Sequence, residues 1–376
     1  MNPHFSRPNW AQIDLDALRH NARALARHVA PARLIAVVKA GAYGHGALEI
    51  ARVLQKMKEV QMLAVASVDE ARLLREGGIC APILLFGALL PNETSEVVRL
   101  DLTPTVWTSE IACALETAMK NENRRLKIHF KVDTGMHRLG ANWCQATRAF
   151  EEVSRFENLE IAAVYTHFAC ADEECADDFT ALQLRRFNEF CASCELSESV
   201  LKHAANSAGA LRFRAAHFDL VRPGIALYGA NPCLDLAPDL ELRPVMTWRA
   251  RITALQNVAK GEGVSYGQTW TAPRDSQIAI LPAGYADGYA RSLSNCGEVQ
   301  IGGKIARVVG RVTMDQILVD VTGLEAQIGD VATLWGEGFR VEDVAARAGT
   351  IAYELLCAVS PRVPRVYIGD STKNEA

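Results

Sequence analysis

The chain has 376 residues, 49% of them hydrophobic and 22% charged, with a formal net charge of −4. That length holds one large domain and a smaller one, and the mixed signs of its charges leave no basic face for nucleic acid. The most apolar window, Ile79 to Leu90, is too short to span a membrane and is broken by Pro82 and Gly87, while Met1 to Trp10 lacks the apolar core of a secretory signal. A soluble cytoplasmic protein is the expectation. Ten cysteines scattered through the chain fit reduced thiols packed as small hydrophobes. Cys191 and Cys194 have ligand-like spacing, but no second pair and no histidine pair follows, so a structural role and no metal site are expected.

Apolar runs alternate with amphipathic stretches from Ile13 to about residue 230. Eight strands are expected: Leu34 to Lys39, Met62 to Ser67, Ile83 to Gly87, Thr103 to Trp107, Lys127 to Val132, Ile161 to His167, Val200 to Ala205 and Phe218 to Arg222. Helical spacing lies between them at Leu15 to Val29, Asp69 to Glu76, Glu110 to Lys120 and Phe179 to Cys191, and Ser67 with Glu70 has the form of a capping box. Eight βα repeats in this length predict a (β/α)₈ barrel over residues 10–238.

Beyond residue 238 the texture changes. Met246 to Leu255 alternates with a period of two, and turn signals recur at Lys260 to Gly263, Asn295 to Gly297 and Gly302-Gly303. A mostly antiparallel β domain over residues 239–376, joined by residues 1–9, is expected to pack closely on the barrel. The polar end, Asp370 to Ala376, is expected to fray.

Barrel chemistry collects at the C-terminal ends of the strands. Lys39 stands there after Leu34 to Val38, followed by a turn rich in glycine at Gly41, Gly44 and Gly46 whose spacing is not that of a dinucleotide loop. Lys131 to Arg138, Tyr165-Thr-His167, Asn206-Ser207-Ala-Gly209 and Arg222-Pro-Gly224-Ile225 end later strands. A lysine ending a strand is by itself more often a surface residue than a catalyst.

The segments VVKAGAYGHG, KVDTGMHRLG, YTHFA, ANSAG, VRPGIALYG, GVSYGQTW, LPAGYADGY and GRVTMDQ follow one another through both halves of the chain. Together they resemble the alanine racemases, which use pyridoxal 5′-phosphate (PLP), and the resemblance covers nearly the whole chain. It implies racemisation of L- and D-alanine in a homodimer with shared active sites, supplying or consuming D-alanine. It makes Lys39 the lysine that binds PLP covalently and one of two bases, with Tyr266 of the other subunit as the second. Tyr43, Asn206, Ser207, Gly224, Ile225 and Tyr353 match the family's cofactor-binding positions, most of them around the phosphate, and Arg222 matches the partner of the pyridine nitrogen. An arginine does not surrender a proton there, so the ring nitrogen stays neutral. His167 matches the partner of the tyrosine base. Arg138 matches a residue beside the substrate carboxylate, and Lys131 a lysine whose carbamylation can hold Arg138. Tyr285, Met314 and Asp315 match substrate-contact and entrance positions supplied by the second subunit. His137 stands where many relatives have glycine.

Other readings stay open at this point: a racemase that also accepts serine or another small amino acid, a PLP decarboxylase of related fold, and a lyase using Lys39 without PLP. A non-catalytic PLP carrier is a further one, against which the second domain with Tyr266 speaks.

Overall fold

The computed structural model describes residues 7–233 and 240–369; the expected boundary at 238/239 and the terminal stretch from Asp370 lie outside them. Strand β1 (Asn9–Asp14) comes first, and Asp14 then caps the helix Leu15–Val29 by accepting from Asp16 N and Ala17 N at 2.8 and 2.9 Å. The barrel strands follow: β2 (Arg33–Val37), β3 (Val60–Val65), β4 (Ile83–Leu85), β5 (Thr103–Val106), β6 (Leu126–Asp133), with the two-residue β7 (Ala141–Asn142) on its flank, then β8 (Leu159–Tyr165), β9 (Leu201–His203) and β10 (Leu220–Val221).

Each barrel strand pairs in parallel with its neighbours in the order β2-β3-β4-β5-β6-β8-β9-β10, and β10 returns to β2, so the barrel is closed. All eight expected strands are present. Several are shorter than their apolar runs. Ser67 leaves β3 to cap the helix Val68–Glu76, and Phe218, at φ 47°, turns the chain before β10 begins. Strand residues buried on both faces, such as Ile35, Ala36, Leu63 and Ala64, explain the unbroken apolar runs.

The second sheet contains β11 (Met246–Arg251), β12 (Ala254–Val258), β15 (Ser276–Leu281), β16 (Glu298–Ile301), β17 (Lys304–Val308), β18 (Ile317–Asp320), β19 (Val331–Trp335) and β20 (Arg365–Ile368), with β13 (Gly263–Val264) and β14 (Trp270–Thr271) as a separate small hairpin. Its pairings are antiparallel except that β1 lies parallel to β20, between β20 and β11. The N-terminal contribution to this domain therefore runs through Asp14. Gly302 and Gly303, both at positive φ, make the two-residue turn of the β16–β17 hairpin, where that backbone matches the strand twist. One apolar core runs from the barrel into this sheet and ties the two units together. Among the described residues no helix is long and apolar enough to cross a membrane, and the ten cysteines are free.

Candidate active site

A cavity of about 420 Å³ opens at the C-terminal end of the barrel. Its walls bring together eleven of the residues singled out from the sequence: Lys39, Tyr43, Lys131, Arg138, His167, Asn206, Ser207, Arg222, Gly224, Ile225 and Tyr353. They come from segments more than three hundred residues apart, and the closing of the barrel, with the second domain packed on it, is what makes them neighbours.

Lys39 follows β2 and begins a turn of unusual hand. Ala40, Gly41, Ala42, Tyr43 and Gly44 all have positive φ, forming a left-handed run in which three residues are not glycine. Each L-residue there costs about 1–2 kcal/mol, so other contacts must hold the turn. Glu70 accepts from Ala40 N at 2.6 Å. Buried His45 donates from Nδ1 toward the carbonyls of Ala42 and Tyr43 at 3.0 and 2.8 Å. Arg365, from β20 of the second domain, donates two bonds to Gly44 O, and Tyr367 donates to His45 O. The lysine is thus braced from both domains.

Arg222 is almost wholly buried and meets only acceptors. Its guanidinium donates to His203 Nδ1 (2.7 Å), Thr166 O (2.8 Å), Ala204 O (2.7 Å) and His167 Nδ1 (3.1 Å). An arginine has no lone pair to offer, so both Nδ1 atoms accept and each ring carries its proton on Nε2. His203 Nε2 then donates to His129 Nδ1 at 3.0 Å. Burial, reinforced by the Arg222 charge, lowers the histidines' pKa values, His129 to about 3 and His167 and His203 well below the ordinary value. Burial also brings Arg222 down to about 10, which leaves it charged at neutral pH.

The same logic acts on the amines. Burial first, and Arg138 second, lower Lys39, with Glu70 pulling the other way. Lys131 falls to about 7 through burial and the charges of Arg222 and Arg138. Lys39, Lys131, Arg138 and Arg222 converge on a cavity with no carboxylate among the described residues that line it, which favours an anionic occupant.

The far wall is shaped for close approach. Ser207 Oγ accepts from Gly224 N (2.9 Å) and Ala226 N (3.3 Å), and Asn206 caps the helix Ser207–Arg212 by accepting from Gly209 N at 2.8 Å. A Cβ on Gly224 would stand 2.3 Å from Tyr43 Oη, so any side chain there forces the phenol to move.

Four expected residues are elsewhere. Tyr266, Tyr285, Met314 and Asp315 lie on the surface of the β domain, with Tyr266 71% exposed. They belong to connected loops: Ser265 Oγ donates to Arg311 O, and Tyr285 N and Ala286 N donate to Thr313 O and Met314 O. Some residues around the site were not singled out from the sequence. His203, which accepts from Arg222 at the end of a barrel strand, and His129, which accepts from His203 and lies two residues before Lys131 on the same strand face, carried positional signals. Tyr165 is marked by its place at the end of the sixth strand, whereas nothing in the sequence pointed to Cys357 or Arg365.

The family model described as alanine racemase, N-terminal domain, matches residues 13–232, and that for the alanine racemase C-terminal domain matches 245–367. The chain belongs to the alanine racemase family. An alanine racemase of Carboxydothermus hydrogenoformans is 43% identical over 370 residues, covering 96% of this chain and all of the relative. One from Halothermothrix orenii is 40% identical over 375 residues, covering 98% of each chain. The solved alanine racemase of Clostridium difficile 630 superposes with a TM-score of 0.91 at 35% identity, covering 98% of this chain and 97% of that one. The barrel and β domain are therefore those of the alanine racemase fold.

Proposed function

We propose that this protein is a PLP-dependent isomerase that interconverts L- and D-alanine in the cytoplasm, working as a homodimer whose active sites combine residues of both subunits. The observation that carries the reading is the cavity in which Lys39 faces Arg222 and the Ser207–Gly224 wall, in a chain of alanine racemase family throughout. Its donor set suits PLP. Gly224 N–H and Ala226 N–H hold the Ser207 oxygen and leave its hydroxyl hydrogen to donate, so that Ser207, with the Tyr43 and Tyr353 phenols, would form a wall for a phosphate; Lys39 would be the amine for an aldehyde, and Arg222 a fixed donor for a ring nitrogen. Bound there, PLP would supply the electron sink that makes the α-proton of an amino acid acidic.

The chain's own residues divide the proton work. Racemisation takes a proton from one face of Cα and returns one to the other, so it needs two groups on opposite sides. Lys39, its amine already lowered by burial and Arg138, serves one face. The second is Tyr266 of the partner subunit, which fits its strong exposure on the single chain. His167 bears its proton on Nε2, because Arg222 occupies Nδ1, and so can donate to that phenol and favour its ionised form. Arg138 faces the substrate carboxylate. Tyr285, Met314 and Asp315 of the partner subunit close the entrance and limit substrate size. The limit is soft, since one methylene changes selectivity by only about 1–3 kcal/mol, so slow turnover of serine is expected.

The test is complementation. Lys39→Ala loses cofactor attachment and Tyr266→Phe keeps the cofactor, and each alone loses most turnover. When the two are coexpressed, each mixed dimer contains one intact site, restoring roughly a quarter of wild-type activity. No restoration would overturn the shared site, and full activity in Tyr266→Phe would overturn the two-base scheme. Carbon dioxide release without D-alanine would make the protein a decarboxylase.

A further inference from the structure

Glu70 occupies the third position of the helix Val68–Glu76, where a capping-box carboxylate ordinarily reaches back to the N-cap N–H. Half of that box is present, for Ser67 Oγ accepts from Glu70 N at 3.3 Å. The return contact is diverted. One carboxylate oxygen accepts from Ala66 N at 2.7 Å, and the other crosses to the neighbouring strand end and accepts from Ala40 N at 2.6 Å. Ala40 is the residue after Lys39 and the first of the left-handed run.

We propose that Glu70 is a positioning residue for Lys39, pinning the start of its left-handed turn to the end of β3 and setting a negative charge beside an amine otherwise surrounded by cations. Two N–H donors meet at this side chain, and a carboxylate offers an acceptor to each. A glutamine offers one oxygen and would turn an NH₂ against the second donor. The charge matters for a separate reason: the described residues lining the cavity include two lysines, two arginines and no acid, and Glu70 opposes burial and Arg138 in setting the Lys39 proton. Glu70 therefore holds the lysine in place and keeps it from becoming neutral too readily. The catalytic meaning rests on the reading of Lys39 as the PLP-binding lysine, whereas the anchoring itself does not.

The test uses the full chain freed of cofactor, with Lys39 labelled by acetic anhydride across pH and its peptide quantified by mass spectrometry. Glu70→Gln should shift the labelling curve to lower pH and raise the labelling rate near neutrality severalfold. Ser67→Ala, which loosens the same helix but leaves the carboxylate, should leave the curve in place. Glu70→Asp keeps the charge but is too short for both donors, so it should hold the curve while exchange of the Ala40 amide accelerates. A Glu70→Gln curve superimposed on wild type, or an equal shift in Ser67→Ala, would overturn the proposal. Hydrogen exchange in the wild type tests the anchor without any variant: Ala40 and Ala66 amides should be protected, and rapid exchange at both would refute it. If the labelling behaves as stated but reduction of the holoenzyme fails to fix the cofactor on Lys39, the PLP reading fails and the anchor stands.

Discussion

His167 Nδ1 lies 3.1 Å from the Arg222 guanidinium, and that one contact fixes which nitrogen of the imidazole can act on a neighbour. Arg222 simultaneously serves His203 Nδ1 and the carbonyls of Thr166 and Ala204. Lysine at this position supplies a point charge in place of a planar fork and leaves some of these buried acceptors unpaired, at about 1–3 kcal/mol each. Arg222→Lys is expected to lose about 2–5 kcal/mol of stability in urea titrations. Its His167 ring, released from Nδ1, should also show a mixed tautomer by nitrogen NMR, and a single unchanged tautomer would contradict the assignment.

Acid should unfold the protein through its buried histidines. His45, His129, His167 and His203 are held neutral by burial, with folded-state pKa values of about 4 for His45 and about 3 for His129 and well below the usual value for the other two. The folded pKa is depressed, so below the unfolded value the unfolded state binds more protons. The stability is complete above pH about 6.5 and falls below it, by up to ~1.4 kcal/mol per pH unit for each ring. Urea midpoints measured at pH 7.5 and 5.5 should differ strongly, and His129→Phe should flatten the dependence.

Lys131 should be chemically reactive. With its pKa lowered to about 7, a substantial fraction of the amine is unprotonated at neutral pH and able to take up carbon dioxide as a carbamate. The resulting anion would stand among Arg138, Arg222 and Lys39 and hold the Arg138 guanidinium toward substrate. Carbon-13 NMR of enzyme equilibrated with labelled bicarbonate should give a carbamate signal that disappears in Lys131→Ala, with KM for alanine rising more than kcat falls.

A side chain at Gly224 should weaken cofactor binding. Its φ of −113° is open to any residue, but its ψ of −89° lies outside the favoured regions, and the Tyr43 phenol stands 2.3 Å from a would-be Cβ. Overpacking of this kind costs about 1–3 kcal/mol, so Gly224→Ala should weaken PLP retention roughly tenfold to a hundredfold. Gly224→Ala/Tyr43→Phe, which removes the phenol oxygen, should recover part of the loss in a spectroscopic titration of the apoprotein.

The barrel was legible because burial on both faces writes each parallel strand as an apolar run, and because polar groups at strand ends converge once such a barrel closes. That rule reached Lys39, Lys131, His167, Ser207 and Arg222. It did not reach Glu70, whose position in a capping box explained it locally and hid the bond to Ala40. Nor did it reach the left-handed backbone at Ala40, Ala42 and Tyr43, which those side chains disfavour and which exists only because His45, Glu70 and Arg365 hold it from separate segments. Tyr266 illustrates a different limit: its exposure is a property of the folded surface, and its proposed partner is another copy of the chain.

His137 should be replaceable at a gain. It sits at φ 55°, in the left-handed region, where an L-residue carries about 1–2 kcal/mol of strain and glycine carries none. Its side chain is 76% exposed, and Nδ1 is 3.7 Å from Asp133 Oδ2, a separation that contributes little in water. The contact that shapes the loop is made by the backbone, since Asp133 Oδ1 accepts from Gly135 N at 3.0 Å and His137 N at 3.1 Å, and glycine preserves it. Set against the greater freedom of glycine in the unfolded chain, the net expectation for His137→Gly is a stabilisation of about 0.5–1 kcal/mol. Urea titration at pH 7.5 measures it, with kcat unchanged because Arg138 keeps its backbone position. A loss of stability would mean that the His137–Asp133 pair contributes more than its exposure allows.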